Sequence, residues 1–187
     1  QNPTTGEEWR RGWHPEQIAE KGSDGRVLVV GGGPAGLEAS RALGQRGYAV
    51  TLAEAGTELG GHLNRVSQLP GLSTWARVRD WRIGQLHKLA NVEIFLDSKL
   101  DANQVREFGF DHVAIATGSS WRGDAMGSTH RTPIEGIHEK GILTPNDVMA
   151  GAELEGPVII YDDEHYFMAS VLAELAASQG HKVVYVT

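Results

Sequence analysis

The sequence predicts an α/β protein built in three layers around a largely parallel sheet. Residues 27–54 and 157–187 each read as strand, helix and strand, and further short apolar runs lie between these two segments. A content of 40% hydrophobic residues is enough for a buried core, and 24 glycines fit a chain with many turns. Repeated strand–helix–strand units are typical of sheets whose neighbouring strands run in the same direction.

Apolar patterning places the elements of the first part of the chain. Residues 1–26 show no regular period and are predicted to be an interdomain connecting segment. A buried strand is expected at 27–30, followed by a helix at 35–45. Gly47 is the expected C-cap of that helix, and the next strand covers 48–54.

The rest of the chain continues the alternation of strands and helices. The expected elements, in order, are a loop at 56–71, a helix at 73–90, a strand at 92–96, a short helix or turn near 101–107, a buried strand at 111–119, a loop at 119–142, a short helix at 144–151 and the closing strand–helix–strand unit. In the short helix, Thr144 is the expected N-cap, Pro145 the first helical residue and Asp147 the partner in a capping box.

Composition disfavours several classes of function. The formal net charge of −7 argues against nucleic-acid binding, which needs a basic surface. No apolar run approaches the length of a membrane span, so we expect no membrane association. The absence of cysteine suits a reducing compartment, so we expect a cytoplasmic location. The chain has no cysteine, and its eight histidines lack the four-residue helical spacing of a zinc motif, so we predict no metal site.

The first strand–helix–strand unit carries a nucleotide-binding motif. Gly31, Gly33 and Gly36 occupy the three glycines of G-x-G-x-x-G, after a strand and at the start of a helix. Gly31 makes the tight turn, Gly33 lets a pyrophosphate approach the backbone, and Gly36 lets the helix pack on the strand. The helix N-terminus offers free N–H groups and partial positive charge to the phosphates. We therefore predict a functional Rossmann-like dinucleotide-binding unit here.

Glu54 narrows the choice of nucleotide. It ends the second strand, 23 residues after Gly31, where a carboxylate accepts hydrogen bonds from a ribose diol. A 2′-phosphate there would meet like charge, at a cost of about 4 kcal/mol for a pair about 4 Å apart with an effective dielectric of about 20. The site should prefer FAD, NAD or ADP to NADP, and a glycine turn without a ligand is the alternative.

The second unit lacks every one of these features. Aligning its first strand with that of the first unit places Asp162, Glu164 and Phe167 at the three glycine positions. Counting onward from Gly47 in the first unit and from Gly180 in the second places Thr187 at the position of Glu54. Acidic side chains would repel a pyrophosphate, and Phe167 would crowd the helix against the strand. We expect a degenerate unit that keeps only its apolar framework.

Several peptides together show a resemblance to a known family. "QNPTTGEEWRRGWHPE", "GGGPAG", "GGHLN", "LPGL", "IATGSSW", "LTPNDVMAG" and "YFMASVLAELAASQGHKVVYV" resemble trimethylamine dehydrogenase, dimethylamine dehydrogenase and histamine dehydrogenase. The similarity runs over nearly the whole chain. It implies three segments: the connecting segment at 1–26, part of an FAD- or ADP-binding type domain at 27–155, and the start of a second, NAD-binding-like domain at 156–187.

The resemblance implies that this chain is part of a larger oxidoreductase. Enzymes of this family have an N-terminal barrel with FMN and a 4Fe-4S cluster, and pass electrons from an amine to an electron-transferring flavoprotein. FMN, cluster and amine pocket would lie outside these 187 residues, so no catalytic residue is predicted here and this part alone should be inactive. The full-length protein is expected to be a homodimer. Which amine it oxidises does not follow from the sequence.

The resemblance also implies a set of residues around ADP, or around the ADP part of FAD. They are Gly31, Gly33, Pro34, Ala35, Gly36, Glu54, Ala55, Gly61, His62, Leu63, Thr117 and Gly118. Two other functions stay open. One is an NAD(P)H-dependent FMN/FAD oxidoreductase of the 2,4-dienoyl-CoA reductase type, and the other is a non-enzymatic adenine-nucleotide-binding module.

Overall fold

The computed structural model describes residues 18–127, 129, 131–133, 135–137 and 141–187. Most of the predicted connecting segment, residues 1–17, lies outside the described residues. The chain divides into two compact units, which we describe separately. Unit 1 contains residues 18–60 and Arg79–Thr117, and unit 2 contains Gly61–Val78 and Gly118–Thr187.

Strands and helices alternate along the described chain. In order, they are β1 (Val27–Val30), α1 (Pro34–Gln45), β2 (Val50–Ala53), α2 (Leu63–Val66), a 3₁₀ turn (Ser73–Trp75), α3 (Ala76–Leu86), β3 (Val92–Phe95), α4 (Ala102–Glu107), β4 (His112–Ile115), α5 (Pro145–Met149), β5 (Val158–Tyr161), α6 (Phe167–Ser178) and β6 (Val183–Val186). Among the described residues, no helix is both long and apolar enough to cross a membrane.

Unit 1 contains a four-stranded parallel sheet in the order β3-β2-β1-β4. Val30 at the end of β1 pairs with Ala53 of β2 and Ile115 of β4. The carboxyl ends of these three strands therefore lie side by side at one edge of the sheet. This register brings the turn that follows β1 next to the residues that follow β2 and β4, where ligands of parallel α/β sheets bind.

Helices flank both faces of this sheet, and the predicted Rossmann-like fold is confirmed. On one face, Leu37 of α1 and Leu86 of α3 join Val29 and Leu52 in the core. On the other face, the strand residues Leu28, Val30 and Ala53 pack with side chains on and beside α4. Those side chains are Leu100, Val105 and Phe110.

An ion-pair network fixes α1 to α3. The Glu38 carboxylate accepts hydrogen bonds from Arg41 at 2.5 Å and from Arg82 of α3 at 2.7 Å. Arg41 is only 4% exposed, and its guanidinium lies 5.3 Å from the centre of the Trp81 ring. Burial raises the pKa of the Glu38 carboxyl, but Arg41 and Arg82 together outweigh it and hold the pKa below its usual value. Glu38 therefore stays charged at neutral pH, and the two helices stay paired.

Unit 2 contains a two-stranded parallel sheet of β5 and β6, with α6 packed on it. A hydrophobic cluster is centred on Val66, Leu69 and Met168 and includes Trp121 and Met149. Unit 2 also includes residues 61–78 and the described residues of 118–155, some of which join the cluster around Met168. The division into two nucleotide-binding-type domains stays a prediction.

Local predictions succeeded more often than those that depend on distant neighbours. Gly47 follows α1 with φ of 94°, and Thr144 and Asp147 form the predicted capping box. The predicted helix at 73–90 is instead a 3₁₀ turn followed by the shorter α3, and the predicted loop at 56–71 contains α2. The prediction that β4 is buried was wrong: Ile115 is 67% exposed because β4 is the edge strand of the sheet.

Candidate nucleotide-binding site

The turn after β1 requires glycine at its first position. Gly31 has φ of 105°, and its N–H donates to the Ala53 carbonyl at 2.8 Å. A Cβ at this position would lie 2.4 Å from the Ala116 carbonyl oxygen. Any side chain larger than a hydrogen atom is therefore excluded, because the positive φ would strain the backbone and the residues after β4 leave no space for a Cβ. The chain turns sharply here and enters α1 without covering its N-terminus.

Gly33 leaves the N-terminus of α1 open. It is the N-cap residue in an extended conformation, and no side chain caps the helix. A Cβ on Gly33 would meet no described atom within 4 Å. The first helical hydrogen bond runs from the Leu37 N–H to the Gly33 carbonyl at 2.9 Å, so Ala35 and Gly36 have no helical acceptor for their N–H groups. Space, free donors and the helix dipole together fit a phosphate group.

Gly36 sets the distance between α1 and the first turn. A Cβ here would lie 1.8 Å from the Gly31 carbonyl oxygen, which is backbone and cannot rotate away. Gly36, Ser40 and Gly44 are all buried and follow one another at four-residue spacing on α1. Small residues along this side of the helix allow its close approach to the sheet.

Glu54 lies at the end of β2 and is half-buried. Its carboxylate accepts a hydrogen bond from the Gly32 N–H at 2.5 Å through Oε2 and from the Gly56 N–H at 2.7 Å through Oε1. The side chain therefore ties the glycine turn to the loop after β2. A carboxylate has about four acceptor positions, so capacity for a ribose diol is left. The sequence motif does not reveal this link, because it assigns no role to Gly32.

The structure brings only part of the predicted residue set together. Gly31, Gly33, Pro34, Ala35, Gly36, Glu54, Ala55 and Thr117 all belong to unit 1. The Cα atom of Thr117 would lie 3.1 Å from a Cβ on Gly31, which places Thr117 at the glycine turn.

Four further predicted residues belong to unit 2: Gly61, His62, Leu63 and Gly118. His62 is exposed at the start of α2 and Leu63 is buried. Within unit 1, the Gly60 N–H donates to the Gly32 carbonyl at 2.9 Å, so the chain passes the glycine turn immediately before Gly61. The contribution of these four residues to the site stays a prediction.

The turn of the second unit is closed by its own side chains. Asp162 follows β5 and is 5% exposed. Its carboxylate accepts hydrogen bonds from the Glu164 and His165 N–H groups and from the Tyr185 hydroxyl. The Tyr185 hydroxyl holds the pKa of Asp162 below its usual value, with the two N–H groups adding to the effect against burial. The Glu164 and His165 N–H groups of this turn are therefore occupied, although no side chain caps α6.

The predicted position of Phe167 was wrong. Three residues separate β1 from α1, but five separate β5 from α6, so Phe167 is the first residue of α6 and corresponds to Pro34 rather than Gly36. Its ring lies 4.9 Å from that of Trp75 and packs in the hydrophobic cluster of unit 2. It does not wedge the helix away from the strand. Counting residues from the start of the strand assumes turns of equal length, so it could not reveal the longer turn between β5 and α6.

The parallel sheet and the glycine turn are those of a dinucleotide-binding domain. The family model described as pyridine nucleotide-disulphide oxidoreductase matches residues 25–155, which is more than half of the chain. The chain therefore belongs to this family.

Three of the similar proteins have names that refer to amines. Dimethylamine dehydrogenase from Hyphomicrobium sp. (strain x) is 43% identical over 197 residues, which cover 100% of this chain and 26% of that protein. The structure of histamine dehydrogenase from Rhizobium sp. 4-9 is 52% identical with a TM-score of 0.89, over 99% of this chain and 29% of that one.

A third relative is the 6-hydroxypseudooxynicotine amine oxidase from Pseudomonas geniculata. It is 50% identical with a TM-score of 0.92, over 100% of this chain and 28% of that one. The predicted resemblance to the dimethylamine and histamine dehydrogenases is thereby confirmed. The chain spans about a quarter of the length of these relatives.

Proposed function

We propose that unit 1 binds ADP, or the ADP part of FAD, as a tightly held ligand. The observation that carries this proposal is the contrast between the two strand–turn–helix units. No side chain caps α1 or α6, but the first turn has open space at Gly33. In the second turn, the N–H groups of Glu164 and His165 donate to the Asp162 carboxylate.

Each residue of the first turn has a distinct part in this proposal. The pyrophosphate lies against Gly33 and accepts hydrogen bonds from the N–H groups of Ala35 and Gly36. Pro34 contributes no N–H group, but its fixed φ preorganises the first helical turn. Glu54 accepts a hydrogen bond from the ribose diol while it holds the Gly32 and Gly56 N–H groups.

We propose further that the full-length protein is an amine dehydrogenase. Support comes from relatives that are 43% and 52% identical over essentially the whole of this chain, one named for dimethylamine and the other for histamine. FMN and a 4Fe-4S cluster, bound outside these residues, would supply amine oxidation and electron transfer to an electron-transferring flavoprotein. In this proposal the protein is a cytoplasmic homodimer, and the present residues bind nucleotide without entering the chemistry.

Identification of the released nucleotide tests the proposal. The full-length protein is purified without added nucleotide and denatured, and the supernatant is separated by chromatography and quantified against protein. We expect ADP in the supernatant at about one equivalent per chain. FAD at the same stoichiometry keeps the site assignment but favours a flavin reductase of the dienoyl-CoA type. Protein that releases no adenine nucleotide, and that does not bind added ADP, contradicts the assignment.

A further inference from the structure

Asp162 is the structural counterpart of Gly31. Each is the first residue after the first strand of its unit. The Gly31 N–H donates to the carbonyl of Ala53, the last residue of β2, and the Asp162 N–H donates to the carbonyl of Val186, the last residue of β6, both at 2.8 Å. The two turns therefore leave their sheets in the same way and diverge only afterwards.

The Asp162 side chain occupies the donors that such a turn presents. Its Oδ1 accepts hydrogen bonds from the N–H groups of Glu164 at 3.2 Å and His165 at 2.9 Å. Its Oδ2 accepts from the Tyr185 hydroxyl at 2.6 Å, and Tyr185 lies on β6, one residue before the strand ends. Backbone N–H groups in the turn of a strand–turn–helix unit are the usual ligands of a phosphate. Here such N–H groups donate instead to the Asp162 carboxylate of the same chain.

The neighbouring acidic residues do not share this position. Asp163 points to a different segment, where its carboxylate accepts a hydrogen bond from the Thr129 N–H at 3.1 Å. Glu164 is exposed. Repulsion by net charge alone would make the three acids equivalent, whereas the hydrogen bonds single out Asp162.

We propose that Asp162 is an internal anion that fills the phosphate-binding turn of the second unit and excludes pyridine nucleotides from it. Tyr185 is the residue that holds the carboxylate in place. The exclusion is by occupation: the Glu164 and His165 N–H groups, which line the turn before α6, already donate to Asp162 and are closed to a pyrophosphate. This inference concerns unit 2 alone and stands whether or not the first turn holds ADP.

The proposal is tested in the full-length protein by removing the Asp162 carboxylate and measuring whether an added anion restores stability. Asp162→Ala removes the carboxylate, and Glu164→Ala is the matched control, because it removes the same charge from an exposed side chain of the same turn. The thermal midpoint of each protein is followed as sodium acetate or sodium phosphate replaces sodium chloride at constant ionic strength. We expect Asp162→Ala to lose stability and to regain about 3 °C as an anion enters the turn. Wild type and Glu164→Ala should show no such gain.

The same experiment contains the result that would overturn the proposal. Equal responses of Asp162→Ala, Glu164→Ala and wild type to acetate and phosphate mean that no anion position was vacated. If Asp162→Ala does not fold, Asp162→Ser is titrated in the same way, and a flat response then refutes the proposal. The released-nucleotide measurement on the first turn is unaffected by either outcome, so the two proposals fail separately.

Discussion

Two carboxylates at equivalent edges of the two sheets have opposite consequences. Glu54 reaches the glycine turn from β2 and takes the Gly32 N–H, but it leaves the donors at the start of α1 open. Asp162 stands within the turn itself and takes the donors of Glu164 and His165. In our proposals, a carboxylate on the neighbouring strand supports a ligand site, and a carboxylate inside the turn replaces the ligand.

Gly33 provides a prediction in which stability and binding move in opposite directions. Its φ of −73° and ψ of −177° suit any residue, and a Cβ would meet nothing within 4 Å. Asp is a better N-cap than Gly by a few tenths of a kcal/mol, so Gly33→Asp should leave the nucleotide-free protein at least as stable. The added charge should cost ADP about 4 kcal/mol per charge pair, or roughly a thousandfold in affinity. Calorimetric titration with ADP and thermal unfolding without it measure the two effects.

The control for Gly33→Asp is the same exchange at Gly84 on α3. A Cβ on Gly84 also meets nothing within 4 Å, so Gly84→Asp adds the same charge without touching the turn. ADP affinity should stay within about twofold of wild type in this control. Unchanged ADP affinity in Gly33→Asp would show that the phosphates do not bind at the start of α1.

At the scale of elements, the close approach of α1 to the sheet of unit 1 depends on glycines at positions where a Cβ would meet other atoms. A Cβ on Gly36 would meet backbone at 1.8 Å, whereas a Cβ on Gly44 would meet Val92 at 2.6 Å and Leu89 at 2.9 Å through side chains that can rotate. Gly84 faces open space. The loss in free energy of unfolding caused by an added methyl group should therefore be largest at Gly36, smaller at Gly44 and absent at Gly84.

Alanine substitution at these glycines tests that order. Gly36→Ala should lower the free energy of unfolding by about 3 kcal/mol, because fixed backbone blocks the methyl group. Gly44→Ala should cost about 1 kcal/mol, and Gly84→Ala should raise stability by about 0.5–1 kcal/mol, since alanine lowers the entropy of the unfolded chain. Urea unfolding followed by circular dichroism gives all three values. A Gly36→Ala protein as stable as Gly84→Ala would refute the close packing of α1 on the first turn.

The elements that the sequence predicted well are those specified by near neighbours. Thr144 and Asp147 are three residues apart and define their helix start by themselves. The glycine motif likewise encodes its own turn. Burial of β4 depends instead on whether a strand lies beyond it, and the length of the second turn depends on the hydrogen bonds of Asp162 with Tyr185, 23 residues away. Such distant partners leave no periodic pattern, so they were missed.

At the scale of the whole molecule, two strand–turn–helix units lie in separate compact units. One has an open glycine turn, and the other has a turn whose N–H groups donate to Asp162. Each unit has a parallel strand pair and a 12-residue helix, α1 or α6, but the turns between strand and helix differ in length and in hydrogen bonds. In our proposal, these turns decide which unit binds a nucleotide. A nucleotide should therefore affect the two units unequally.

Hydrogen exchange in the presence of nucleotide tests this inequality on the full-length protein. Protein stripped of its bound nucleotide is compared without ligand, with ADP and with NADH. In peptides that cover residues 31–37, ADP at about 100 times its Kd should slow hydrogen exchange by up to about a hundredfold. This applies to amide groups that exchange only when the first site opens. Peptides that cover 162–166 should be unchanged by both ligands, because Asp162 holds the donors that a pyrophosphate needs. NADH-dependent protection at 162–166 would show that the second turn binds a pyridine nucleotide. The proposed electron transfer from an amine to an electron-transferring flavoprotein, without NAD(P)H, would then have to be abandoned.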